Sequence, residues 1–365
     1  MTRLNPRLAA ALRVIEVSQD CRAAMVGQRE VTAADPRSFR PQLAAAIYDE
    51  LHAGRAALKL PAGRDLRDPA LEDRLRALLP HREIARDVLV ISPGADDVLV
   101  RLDGVKVWVP RTRIRTEDWP ADQGTAVEIR IPADRAALSP GFFLADSAQP
   151  YPAGEAVLRI YVHLQTVAAA LDVWGSVLGL LAGLGLGYRA KVASWPEMLP
   201  RRDGLVVYVA ARDREVSRRI AAVIRGIRGV GSQVSVFAEP VAPGVAIGWE
   251  PDHGRTAARA LSFGEHRAAA LADGLVRHAV RRADGDDIPV AASVRQALIE
   301  AGIDPANPAC NRPAGGRREG GRRQLGSGPA SADGRCLDHR AAQPACASRG
   351  LRLREWRRVW LARVD

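Results

Sequence analysis

A chain of 365 residues has room for one large domain or two ordinary ones, and 47% hydrophobic with 26% charged residues places it among globular proteins. The net charge of +11 points first to a nucleic-acid or acidic-membrane partner, but +8 of it falls after Asn311, leaving an ordinary +3 for the body. With aromatics at only 5% and no basic stripe interleaved with them, that body lacks a single-strand stacking platform, so no nucleic-acid partner is expected.

Residues 1–85 read as a helical N-terminal region, because apolar residues recur at three-to-four spacing over Asn5–Val17, Pro41–Ala53 and Pro69–Leu79. Met1–Val14 is too charged for the apolar stretch of a signal peptide. From Asp87 the period shortens. Asp87–Ser92, Asp97–Leu102, Val105–Val109 and Ala126–Ile131 are short β-branched runs, with Asp103-Gly104 as a two-residue hairpin turn. A small antiparallel sheet is therefore expected over 86–150.

Residues 151–305 mix the two types. Strands are predicted at Glu155–Leu164, Gly187–Ala193, Leu205–Ala210 and Gln233–Phe237. Helices are predicted after Leu164 to about Ala182 and over Arg212–Arg228 and Ser262–Arg282. The class is α+β, with helices packed on a sheet. Leu164–Gly187 is long and apolar, but Gln165, Asp172, Ser176, Gly179 and Gly183 give it one polar or small stripe, as in a buried helix rather than a bilayer span. No membrane association is expected.

Residues 306–365 read as a disordered basic tail, rich in Gly, Pro and Arg, whose abrupt change of character also fits a shifted reading frame. Cys21, Cys310, Cys336 and Cys346 form no C-x-x-C pair, so neither a disulfide framework nor a zinc site is expected, and a reducing cytoplasm fits best.

The chemistry-bearing residues lie in the mixed region. Only three of the 53 basic residues are lysines (Lys59, Lys106 and Lys191), and a lysine retained among so many arginines supplies an amine that can lose its proton. Alternation along "LRIYVHL" puts Arg159, Tyr161 and His163 on one strand face and Ile160, Val162 and Leu164 on the other. Arg189 and Lys191 share a face of a second strand, and Arg201 and Arg202 precede the strand that carries Tyr208. Ser262 and Glu265 form a capping box, with Arg267 in the first turn of the helix, where unpaired N–H groups favour an anion.

Each has an ordinary alternative: a solvated sheet face, loop charges, a core tyrosine, a plain helix cap. Together they suit β-elimination of phosphate from a phosphorylated Ser or Thr. That reaction needs a base for the Cα proton, here Lys191, and an acid for the leaving group, here His163. It also needs guanidiniums to hold a dianion, and it requires no metal.

The chain carries "SPGFF" (Ser139–Phe143), "RIYVHL" (Arg159–Leu164), "RRDGLVVYV" (Arg201–Val209), "GVAIG" (Gly244–Gly248) and "SFGEHR" (Ser262–Arg267). These strings resemble the Hop A-like type III secretion effector family, whose bacterial relatives also occur in ribosomal-peptide (RiPP) biosynthesis clusters. "YDELHAG" (Tyr48–Gly54) is similar to the family's N-terminal helical part, and the resemblance spans about residues 40–305. It implies a protein of lanthipeptide or thioamide-peptide pathways, working beside a phosphotransferase-like kinase. The kinase phosphorylates Ser or Thr in a precursor peptide; its partner eliminates phosphate to leave dehydroalanine or dehydrobutyrine.

By similarity to phosphothreonine lyases, the resemblance implies Lys191 as base, His163 as acid, Tyr208 assisting, and Arg202, Arg267 and Arg159 as phosphate holders, with no cofactor. The competing reading is a non-catalytic subunit that binds the precursor or scaffolds the kinase.

Overall fold

The computed structural model describes residues 3–55, 66–102, 104–135, 139–150, 154–251 and 261–312, with the backbone of 351–352. Lys59, Asp103 and most of the expected tail (313–350 and 353–365) lie outside the described residues. The chain forms the α+β architecture, with helices and antiparallel sheets.

A six-stranded antiparallel sheet stands at the centre. Numbered in chain order, its strands are β8 (Phe142–Asp146), β9 (Val157–Leu164), β10 (Arg189–Ala193), β11 (Arg201–Ala210), β12 (Glu239–Ala242) and β13 (Val245–Trp249), arranged β12-β13-β9-β11-β10-β8. Alternation divides each strand between two faces. Leu158, Ile160, Val162 and Leu164 of β9, Ala190 and Val192 of β10, and Leu205, Val207 and Val209 of β11 form the back.

Three helices cover that back face: α3 (Pro69–Ala77), α4 (Val167–Gly183) and α5 (Val216–Val223). Thr166 caps α4 by accepting from the Ala169 N–H. Its buried Leu171, Val173, Trp174, Val177, Leu178 and Leu181 each contribute about 1.5–3 kcal/mol by leaving water. Trp174 donates its indole N–H to the Leu75 carbonyl, which ties α3 to α4. No helix among the described residues is long and apolar enough to cross a membrane.

The front face has two separate covers. Helix α2 (Pro36–Ile47), the π-helix Tyr48–Ala53 that continues it, α6 (Phe263–Ala283) and α7 (Val290–Glu300) pack over β9, β11 and β13. A second antiparallel sheet packs its core on Phe142, Leu144 and Ala193 at the β8–β10 side. Its strands are β4 (Glu83–Ser92), β5 (Asp97–Leu102), β6 (Val105–Pro110) and β7 (Ala126–Pro132), and residues 351–352 add a short parallel strand to β6. Between the two cores runs a seam along β10 and β11, and Lys191 and Arg189 lie in it, half-buried.

Three elements depart from the sequence expectation. Helix α1 is only Pro6–Ala11, and a three-stranded sheet follows: β1 (Ile15–Val17), β2 (Ala23–Val26) and β3 (Arg29–Thr32). Strands of three or four residues are too short to display a period of two. The expected strand at Gln233–Phe237 is irregular chain, and α5 covers only part of the expected Arg212–Arg228 helix, which ends before Gly226 at φ +84°.

Candidate active site

The sheet registers line up the front-facing side chains in rows. One row runs Asp146, Arg189, Tyr208, Arg159, Gly248 across β8, β10, β11, β9 and β13. The next runs Leu144, Lys191, Val206, Tyr161, Ala246. Beyond it come the Phe142–Ala193 pair and, two residues on from Tyr161, His163. The β11 register is irregular between Arg201 and Leu205, which places Arg201, Arg202 and Asp203 at this end. Cross-strand neighbours stand about 5 Å apart and rows about 7 Å apart. Val206, a short side chain, is thus ringed by Lys191 and Tyr161 beside it, Tyr208 along the strand, and Arg189, Arg159 and His163 on the diagonals.

Lys191 Nζ and the Arg201 guanidinium each lie 4.8 Å from the centroid of the Phe142 ring. Asp203 accepts from Arg201 Nε at 2.7 Å and Nη2 at 2.8 Å, and from Tyr48 Oη at 3.1 Å. Burial alone would raise the Asp203 pKa; the charge and hydrogen bonds of Arg201, then His52 and Lys191, outweigh it and hold the carboxyl well below its usual range. His52 of the π-helix stands behind, its Nδ1 2.8 Å from Ser235 Oγ and its Nε2 3.8 Å from Asp203. Burial lowers the His52 pKa to about 4, against the pull of Asp203.

His163 is buried, and its Nδ1 has no hydrogen-bond partner among the described residues. Gly231 makes that burial possible, since a Cβ there would sit 2.2 Å from Nδ1. Desolvation, then the nearby Arg202 charge, lowers the His163 pKa below its usual value, so the imidazole rests neutral at pH 7.

The remaining candidates divide into two groups. Arg159 lies 5.0 Å from the Tyr208 ring centroid and is held from the other side by both carboxylate oxygens of Glu250. The Tyr208 hydroxyl is buried without a partner among the described residues. Arg202 caps the π-helix: it donates to the Glu50 carbonyl and to Gln233 Oε1, both at 2.9 Å, and packs against Gly54 at φ +67°.

Arg267 lies near Tyr161 and Arg159, but its donors are engaged elsewhere. It is fully buried, donating to the Pro308 carbonyl at 3.1 Å and Asn311 Oδ1 at 2.7 Å, with His266 Nδ1 3.0 Å away and the Phe263 ring 4.2 Å away. Burial lowers its pKa to about 9. The first turn of α6 therefore uses this arginine to anchor residues 308–311, while its capping box spends the Glu265 carboxylate on the Ser262 N–H. Neither offers the seam an anion-binding group.

Comparison with known proteins bears on the same part of the chain. Residues 133–310 match the HopA1 effector protein family. The matched region runs from just before β8 through α7 and includes every residue of the ring around Val206. Among solved structures, an effector protein from Pseudomonas syringae pv. tomato strain DC3000 is 13% identical, with a TM-score of 0.44, covering 75% of this chain and 90% of that one. Another effector, from Pseudomonas syringae pv. syringae strain 61, is 15% identical, with a TM-score of 0.39, covering 68% and 87%. No curated protein matches the chain.

The matched region thus gathers Lys191, Tyr208, Arg159 and His163 on one sheet face, sets Arg202 near His163, and directs the donors of Arg267 to residues 308 and 311. Sequence reasoning passed over Asp203, Tyr48, His52 and Glu250. The first three lie within "RRDG" and "YDELHAG", and a buried charge flanked by arginines was the available signal; Glu250 follows "GVAIG" with no signal of its own. No group of three or more His, Cys, Asp or Glu among the described residues could hold a metal ion.

Proposed function

We propose that this face binds a phosphorylated Ser or Thr side chain of a peptide and eliminates its phosphate. The observation that carries the reading is a charge surplus joined to unused hydrogen-bonding atoms. Among the described residues, Arg159, Arg189 and Arg201 are ion-paired with Glu250, Asp146 and Asp203, Lys191 and Arg202 make no ion pair, and His163 Nδ1 and Tyr208 Oη stand buried without hydrogen-bond partners. A half-buried cationic surplus and unpaired buried polar atoms are both costly, and one phosphate dianion would relieve both.

In the proposed reaction Lys191 takes the Cα proton, the Cβ–Oγ bond breaks, and its electrons leave with the phosphate. The leaving oxygen receives a proton from His163, and a Cα=Cβ bond remains. His163 rests neutral, and an adjacent dianion would raise its proton affinity toward that of an acid. Tyr208 and Arg159 hold the phosphate; Arg202 sets the field at His163, and Arg267 supports the fold. Resemblance adds the biological setting: a ribosomally made precursor peptide, phosphorylated by a separate phosphotransferase-like kinase.

The test is to incubate the full chain with a peptide already phosphorylated by such a kinase. Loss of a phosphoric-acid unit by mass spectrometry supports the lyase. Intact phosphopeptide, with the protein folded and the kinase active, refutes it in favour of a non-catalytic precursor-binding subunit.

A further inference from the structure

One hydroxyl in the ring around Val206 has no assigned role. Tyr161 is 3% exposed, and its Oη, like that of Tyr208, has no hydrogen-bond partner among the described residues. Buried tyrosine hydroxyls normally find a partner, and leaving one without costs more than a typical hydrogen bond returns. Two in one cluster are a strong departure from that rule. The registers make Tyr161 and Tyr208 diagonal neighbours on β9 and β11, within reach of each other's ring.

Their surroundings are fixed and cationic. The Tyr161 ring packs edge-on against His52 at 5.3 Å and against Phe263 at 5.6 Å, which holds it in place. Arg159 lies beside both tyrosines and Arg267 beside Tyr161, with Glu250 as the one carboxylate paired to Arg159. Burial keeps the Tyr161 phenol protonated far above neutrality, so toward an anion it acts as a donor. Tyr161 also occupies the Lys191 row, one residue pair across Val206, whereas His163 stands a row farther along.

We propose that Tyr161 is a further phosphate-holding residue, its hydroxyl donating with that of Tyr208 to the phosphate oxygens in the span between Lys191 and Arg159. This rests on the phosphate-elimination reading for the chemistry but not for the binding.

Binding of inorganic phosphate to the full chain, measured by calorimetry, tests the hydroxyl directly, with Tyr161→Phe and Tyr208→Phe as variants. Each single change should weaken phosphate by roughly tenfold, the worth of a hydrogen bond to a charged acceptor, and the double change by more. Thermal stability without phosphate should not fall in Tyr161→Phe, because the hydroxyl makes no hydrogen bond among the described residues; a hydroxyl that mattered only for folding would behave oppositely. Equal phosphate affinity in wild type and Tyr161→Phe overturns the proposal, as does wild type that binds no phosphate. Phosphate binding that depends on Tyr161, together with no turnover of phosphopeptide, supports the hydroxyl site and overturns the lyase reading alone.

Discussion

Protonating His52 should destabilise the protein over a definable pH range. This imidazole is 2% exposed and faces Asp203 and Arg201 from β11, Arg159 from β9, Arg202, and Tyr48 of its own turn. Burial and the arginines outweigh Asp203, so its pKa drops from 6.5 to about 4. Between those values the unfolded chain binds the proton and the folded one does not. The associated stability is therefore complete above pH 6.5 and is lost as pH falls toward 4. A shift of this size corresponds to about 3 kcal/mol at the acid limit and about 2.5 kcal/mol at pH 4.5.

Asp203 and Asp146, both held below the usual carboxylate range, lose their contributions only at lower pH, while His163 and His278, also lowered by burial, add a background common to both proteins. The measurement is accordingly a difference: urea unfolding of wild type and His52→Gln at pH 7 and pH 4.5. The variant should lose about 2.5 kcal/mol less than wild type across that interval, whatever its stability at pH 7. An identical loss in both proteins would falsify the assignment of the buried, neutral imidazole.

Lys191→Ala should slow phosphate elimination by about 10²–10⁴-fold and leave the unfolding midpoint nearly unchanged, as read by phosphopeptide accumulation and circular dichroism; unaltered turnover rules out Lys191 as the base. Arg267→Met should cost about 2–4 kcal/mol in urea unfolding, because the Pro308 carbonyl and Asn311 lose a charged donor inside the fold. Its retention of full stability would contradict an anchoring role. The His163 pKa, followed by NMR of its ring protons, should rise on saturation with inorganic phosphate; a titration that phosphate does not move would place the anion elsewhere.

The parts of the fold readable from sequence were those whose signals are local. The capping box of Ser262 and Glu265 starts α6 where expected, and the alternation of "LRIYVHL" divides β9 into polar and apolar faces as observed. The short strands β1 to β3 carry too few residues for periodicity, and the π-helix at Tyr48–Ala53 continues α2 without a break in the apolar pattern. For the site, alternation identified which side chains share a strand face, but not which strands are neighbours. That is why Arg267 looked like a phosphate holder: its position in the first turn was legible, whereas residues 308–311 closing over it were not. Asp203 was hidden for a related reason, since its carboxylate acquires significance only when Tyr48 and His52 arrive from more than 150 positions away.

The cations of the front face fall into two classes, and the division explains how so basic a surface survives inside a fold. Arg159, Arg189 and Arg201 each have a carboxylate, respectively Glu250, Asp146 and Asp203, which offsets desolvation and fixes the guanidinium plane. Lys191 and Arg202 have no ion pair among the described residues; the first rests on the Phe142 ring and the second on helix carbonyls. The surplus charge is thereby concentrated toward the end of the seam where Lys191 and His163 lie, with the paired arginines as a rigid frame around it. A substrate dianion entering there need not break an internal ion pair to be neutralised. Under the proposed elimination it would meet a base candidate on one side and, on the other, an imidazole whose proton affinity it would raise, so arrival of the phosphate would itself prepare His163 to act as an acid.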